Sequence, residues 1–426
     1  MIVFPGYLYA QSWEWATPFH AAGATTVSDM IVHHDSLIFV SGTCFSSFNY
    51  NGNTLTVTPD DGPSKDSWLL RTDASGNVHW YVSITSDNEV EIQQIAARNN
   101  RLYVAGKHKG TRVIFNNDTL FAFGNEQWIM FVAVYDLNGN YINASQLAMG
   151  TLFTITDMLA INDLYITGSF SQTIKISSQI YNTALDKLDI FVLKCDTTPD
   201  NRWFRHAPNG DVALIKANPA MDTLFVAAHY IDSLFMGPYT PYSSGSSVCL
   251  FATDTAFQLH WTRNIASDSV ILADALFTNN RMYLTGWYNG TADFGNGMQP
   301  APLSAKAWLS SYSATDGTHA SLLLSNGEHN YGKSIAADRA GNVYLAVRSA
   351  SGTTGILNQT IDLSIFPGNE HNAVLKINGD SLLRYYRILS HTGLSDLRVS
   401  ACDHYGNYYC GGVFAQEMLT DSMAFS

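Results

Sequence analysis

One aromatic residue recurs seven times along this 426-residue chain, and its spacing constrains the fold more tightly than any other feature. It appears as Phe39, Tyr103, Tyr165, Phe225, Tyr283, Tyr344 and Tyr409. Each stands three positions before the residue that closes an apolar hexamer: Gly42, Gly106, Gly168, Ala228, Gly286, Val347 and Gly412. The hexamer is clearest in "RLYVAG" (101–106), "DLYITG" (163–168) and "RMYLTG" (281–286), and successive copies lie 58–65 residues apart. A period of that size marks a supersecondary unit that buries its faces only against its neighbours.

Each unit carries more than the hexamer. An apolar run precedes it ("EIQQIAAR", "ITDMLAI", "GKSIAAD"), and another follows ("WLLRTD", "FVAVYD", "FVLKCD", "WLSSYS"). A fourth begins shortly afterwards, at Trp80, Ile142, Trp203 and Trp261 among others. The connections "DASGNVHW", "DLNGNYI", "DRAGNVYL" and "DHYGNYYC" supply a Gly-Asn turn suited to a tight hairpin. Each unit therefore reads as four short antiparallel strands, A to D, with the hexamer as strand B. Aromatics form 12% of the chain, and no long Ala, Glu, Lys and Leu stretch at helical period interrupts the pattern.

Four strands per sixty residues is the period of a propeller blade. A string of Ig-type sandwiches needs seven strands in about 100 residues. The predicted fold is an all-β, seven-bladed β-propeller occupying 12–426. Its strand-D spacing places Trp15 in an orphan strand D, so residues Ser12–Phe19 are expected to close blade seven as its outer strand. Strand C of that blade would fall beyond Ser426, so the last blade is expected to lack one strand, with the natural chain running on.

"GNVYLA" (341–346), "FVLKCD" (191–196), "GTADFGNG" (290–297) and "AQSWEWA" (10–16) resemble the bacterial secreted β-propeller repeat proteins, the SBBP type. The resemblance spans essentially the whole chain through its repeat. Units four and six depart from it, with Ala228 and Val347 in place of the closing Gly. It implies a secreted or surface-exposed propeller and no particular activity.

The apolar opening "MIVFPGYLYA" followed by Gln-Ser is similar to the end of a secretory signal peptide, which assigns residues 1–11 to a signal remnant. The net charge of −13 and the lack of clustered Lys and Arg argue against nucleic acid and against anionic membrane surfaces. No apolar run is long enough to span a bilayer as a helix. Five cysteines form no CxxC and no zinc spacing. Cys402 and Cys410 flank one turn, where a disulfide or two apolar neighbours are both compatible with the sequence.

Candidate ligand-binding residues collect in the D–A connections, which a propeller gathers at the mouth of its central channel. These are His20, Asp87, Glu89, Asp211, Asp268, Glu328, His329, His391 and Asp396. Paired carboxylates there could work as acid and base, or several could hold Ca²⁺, although no calcium-loop motif is present. The competing reading is a solvated rim, since loops are polar wherever they meet water. The Trp residues of strand D suit inter-blade packing better than sugar stacking, because they recur at one structural position. HExxH, nucleophile-elbow and Walker patterns are absent.

The sequence thus predicts an exported, monomeric, non-catalytic recognition or scaffold module at the cell surface. No cofactor is expected, and the ligand is a protein or a glycan. Two alternatives stand beside it: a carbohydrate-active hydrolase or lyase using rim carboxylates, and a purely structural surface spacer.

Overall fold

A computed structural model gives the fold. It describes residues 16–425 except 17, 18, 22, 23, 35, 51, 52, 58–64, 117, 123–126, 197–201, 235–240, 301–303, 327, 328, 351, 352, 356–359, 364–370, 380, 391–394, 415–417 and 421–423. The described residues are all-β, as the strand patterning predicts.

In the first unit Thr25–His33, Leu37–Cys44, Asp66–Thr72 and Val78–Ser86 pair in that order as strands A to D, all antiparallel. The next five units repeat the order. Two 20-residue strands, Tyr141–Ala160 and Leu259–Thr278, each serve as strand D of one unit and then strand A of the next. In the seventh unit Ser395–Cys402 pairs with Tyr408–Phe414.

The strands A pack side by side in sequence order, and Ser395–Cys402 of unit seven packs against Thr25–His33 of unit one. The apolar core lies between units rather than inside them. Phe39, Leu69 and Ile84 of unit one meet Ile92, Val104 and Phe131 of unit two. Val27, Met30 and Trp68 of unit one likewise meet Tyr409 of unit seven, with Val399 and Ala401 alongside. A four-stranded sheet is apolar on both faces here because both faces are covered by neighbours. Six of the seven strand-B aromatics are buried, and Tyr283 is half-buried.

A β-bulge explains the closing glycine. Strand A carries an extra residue just past the partner of Gly42, Gly106, Gly168, Gly286 and Gly412. The bulge pushes a strand-A carbonyl over the glycine, so a Cβ on Gly42 would collide with the Thr26 carbonyl and the Trp68 ring. The two departures follow from the same geometry. In unit four the bulge has moved to the Gly210/Val212 step, leaving room for Ala228. In unit six the glycine has changed strands: Gly332 on strand A faces Val347 on strand B.

The "DxxGN" segments are hairpin turns closed by their own Asp. Asp73 accepts the amides of Ser75 and Asn77 at 2.9 and 3.0 Å, and Asp136 accepts those of Asn138 and Asn140 at 2.8 and 2.9 Å. The strand-D Trp residues pack between units. The Trp80 indole donates to the Leu137 carbonyl at 3.1 Å and covers Gly139 of the next unit. Trp261 repeats this on Ala314 and Gly317.

Cys402 lies opposite Tyr408, and Cys410 opposite Ser400, so the two cysteines are offset by two positions along the ladder and both thiols are free. Of the proposed closing segment Ser12–Phe19, only Ala16 and Phe19 lie within the described residues, and the signal remnant 1–11 lies outside them. Phe19–Ala21 forms a strand on Phe48–Tyr50 of unit one.

Candidate functional site

The D–A acids are placed by the start of strand A, and hydrogen bonds to neighbouring hairpins account for two of them, Asp87 and Asp268. Asp87 accepts the amides of Thr111 at 2.9 Å and Arg112 at 3.3 Å, and also the Thr111 hydroxyl. Asp268 accepts the Thr291 amide at 2.8 Å and its hydroxyl at 2.7 Å. The two residues are equivalent, each fastening the chain that leaves strand B. Burial works against the Asp87 charge, yet the Thr111 and Arg112 donors hold its carboxyl below the usual range. The Thr291 donors do the same for Asp268.

Asp396 forms an ion pair with the Lys333 ammonium at 2.8 Å, with the Arg398 Nε at 3.5 Å. Glu89 begins strand A of unit two opposite Lys109. His20 stands opposite Asn49. The His329 carbonyl accepts the Ala350 amide at 3.0 Å. Glu328 and His391 lie outside the described residues. Asp87, Asp268 and Asp396 therefore bond to separate elements.

Asp211 enters a longer chain. Its carboxylate meets His229 Nδ1, and His229 Nε2 lies 2.6 Å from the Ser246 hydroxyl. That order of acid, imidazole and hydroxyl is the one used in nucleophilic catalysis. Here, however, the Ser246 hydroxyl also lies 2.5 Å from the Val270 carbonyl, in mid-sheet, and donating to that carbonyl takes its only proton. The chain ties strands A, B and C of unit four to strand A of unit five.

The most perturbed charges lie on the innermost strands, and sequence reasoning missed them. Asp29, Asp157 and Asp274 occupy one position, just past the bulge, in units one, three and five. Each accepts the amide of its own successor and reaches across to an amide of the next unit: Asp29 to Ile95 at 2.8 Å, Asp157 to Ile215 at 2.9 Å and Asp274 to Ile335 at 2.8 Å. Lys216 from unit four donates to Asp157 at 2.5 Å. Burial raises the Asp29 carboxyl to about 7, outweighing its two amide donors and Lys216, and the Asp157 charge adds to the rise. Burial also raises Asp274 to about 6, against the pull of Lys216. Burial opposes the Lys216 charge, but Asp157, Asp274 and Asp29 together hold it above the ordinary lysine range. The sequence signal was available: "VSDMIV", "ITDMLA" and "LADALF" place a lone Asp at matching points of alternate repeats.

A second charged group stands where units five, six and seven meet. Trp287 and Tyr331 pack edge to face at 5.5 Å, with Lys333, Arg348, Asp396 and Arg398 around them. Among the described residues, no group of three or more His, Cys, Asp or Glu is arranged to hold a metal ion. A separate concavity between units four and five is lined by Asn218, Thr223, His260 and Asn280.

No protein-family model matches the chain, and no curated protein matches it. Among solved structures, the chain is similar to hydrazine synthase of Kuenenia stuttgartiensis, with 13% identity over 93% of this chain and 95% of that one, at a TM-score of 0.47. It is also similar to the cobalt-substituted apocarotenoid oxygenase of Synechocystis, with 9% identity over 89% and 97% of the two chains, at a TM-score of 0.35.

Proposed function

We propose that this chain is a closed seven-bladed β-propeller of the secreted-repeat type, serving as an exported, monomeric recognition or scaffold module at the cell surface. The observation that carries the reading is the employment of the rim acids. Asp87 and Asp268 fasten hairpins, and Asp396 is neutralised by Lys333. Asp87 and Asp268 are poor acid–base catalysts, because hydrogen bonds that stabilise their ionised form keep the proton off.

Closure draws support from packing. Tyr409 shares a core with Val27 and Met30, as Phe131 does with Phe39. The hairpins after strand B also lean on strand D of the preceding unit, as Val113 on Ser86 and Asp293 on Ala266. In unit one the hairpin leans on Phe19–Ala21 instead. That segment then belongs to the outer strand of blade seven, running on from 12–19, with 1–11 as the signal remnant.

A glycan array read together with a reducing-end assay tests the function. Retention of a glycan without new reducing ends is the expected result. Release of reducing ends would establish the hydrolase or lyase reading instead, and silence in both would leave the spacer.

A further inference from the structure

We infer that Tyr181, Phe204 and His206, backed by the buried carboxylate of Asp189, form a binding site for a neutral glycan of flat pyranose rings, such as a β-1,4-linked glucan. The inference rests on the recognition reading and gives it a ligand class.

The site lies at the outer margin of the core between units two and three. Strand D of unit three, Arg202–Pro208, carries Phe204 and His206 two residues apart, so both rings stand on one face of the sheet. The hairpin after strand B of the same unit leans on Ala148–Gly150 of unit two and returns through Gln179–Asn182. That return sets the Tyr181 ring 4.6 Å from Phe204 and 5.4 Å from His206. Beneath them Phe191 stacks on Phe204 at 5.8 Å, and Phe170 meets His206 edge to face at 5.7 Å. Phe170 and Phe191 are buried, Tyr181 and Phe204 are half-buried, and the His206 side chain is 31% exposed. The rings therefore form a shelf with a dry underside and a wet top.

Two features of the shelf are not demanded by the fold. His206 faces Phe191, which faces the closing Gly168. At that ladder position units one, two, four and five carry Ser83, Gln146, Asn264 and Leu324. The repeat needs no ring there, in contrast to the recurring strand-D Trp. The second feature is Asp189, which is 3% exposed. Its Oδ2 lies 2.8 Å from His206 Nδ1, and its Oδ1 has no hydrogen-bond partner among the described residues. A buried carboxylate spent on one half-exposed imidazole costs the fold more than it returns. Its use lies in the ring it holds: accepting the Nδ1 proton fixes the imidazole and leaves Nε2 for a ligand hydroxyl. The Tyr181 hydroxyl donates to Gln179 Oε1 at 2.5 Å, which leaves the Gln179 amide protons for a second hydroxyl.

Rings with hydrogen-bonding groups along one edge match a pyranose, apolar on its C–H face and polar around its rim. Equatorial hydroxyls and linkages keep both C–H faces flat, so a β-1,4-linked glucan lies on such a shelf without tilting. The carboxylate behind the imidazole disfavours an anionic sugar.

Titration calorimetry with cellotetraose tests the site, in parallel with maltotetraose, whose axial linkages curl the chain away from a flat shelf. Cellotetraose should bind, maltotetraose should bind at least about tenfold more weakly, and added salt should leave the affinity of the neutral ligand unchanged. His206→Phe keeps a ring and removes Nε2, and should cost about fivefold in affinity. Phe204→Leu keeps the apolar packing and removes the ring, and should also cost about fivefold. A measurement on the wild-type protein needs no variant: magnetisation saturated on aromatic protons should pass to the C–H protons of bound cellotetraose. Absence of cellotetraose binding, equal binding of maltotetraose, no transfer from aromatic protons, or wild-type affinity in both variants would each overturn the assignment. A glycan held on the array equally by wild type and both variants would keep the recognition reading and discard this site alone.

Discussion

Asp157 accepts the Ile215 amide at 2.9 Å and the Lys216 ammonium at 2.5 Å, so one carboxylate of unit three holds two successive residues of unit four. The Asp157 side chain is 10% exposed and that of Lys216 26%. Asp157→Ala leaves the Lys216 ammonium and the amides of Met158 and Ile215 without this partner. The expected loss is about 3 kcal/mol in urea unfolding at neutral pH, the low end for a broken buried pair because Lys216 keeps some water. A double variant with Lys216→Met should recover part of that loss, since the orphaned charge is gone.

The related carboxylates Asp29 and Asp274 give stability an unusual pH dependence. Their folded values, about 7 and about 6, lie above the ordinary aspartate value of 3.8. The native state therefore holds protons that the unfolded chain has released between those limits. Their contribution is full below about pH 4 and is lost as pH rises through about 6 and 7. The groups facing Asp29 are Asp157, which strengthens the effect, and Lys216, which opposes it. Asp29→Asn removes the titration, so the variant's melting temperature relative to wild type should rise from about pH 5 to about pH 8. A constant difference across that range would contradict the burial of Asp29.

Tyr165 is fully buried, its hydroxyl donates to the Thr255 carbonyl at 3.2 Å, and the Lys194 ammonium lies 5.4 Å from its ring. Tyr165→Ala should cost about 3–5 kcal/mol, and Tyr165→Phe about 1 kcal/mol. Because each core joins two units, calorimetry should show one cooperative transition for both variants. A separate early transition would show that units three and four melt alone.

The bulge account of the closing residue is tested by a reciprocal pair. Gly42→Ala forces a Cβ into the Thr26 carbonyl and should destabilise by about 2–3 kcal/mol. Ala228→Gly, where the bulge has moved away, should cost only about 1 kcal/mol through backbone entropy. Thermal melts of the two variants decide it, and equal losses would contradict the account.

The sequence by itself determined the strands, their order and the places where they turn. Those properties are local: an apolar run of strand length, a Gly-Asn turn, and an aromatic at a fixed distance from a glycine each act within a few residues. The repeat also made the inter-unit burial of Tyr165 and Trp80 legible, because a residue that recurs at one position meets the same neighbour each time. The bonding of the rim acids was not legible, since "SDN" and "SDS" look like solvated loop until Thr111 and Thr291 arrive from 24 and 23 residues further on. The stacking of strand A on strand A was decided by tertiary structure alone. It brings Asp29, Asp157, Asp274 and Lys216 close enough to set one another's charge, across 187 residues between Asp29 and Lys216. The corner of Trp287, Tyr331 and Arg398 arises in the same way, from three units that meet only when the chain has folded. Electrostatic coupling depends on distance through space and on the water excluded along the way, and neither quantity is written in the order of residues.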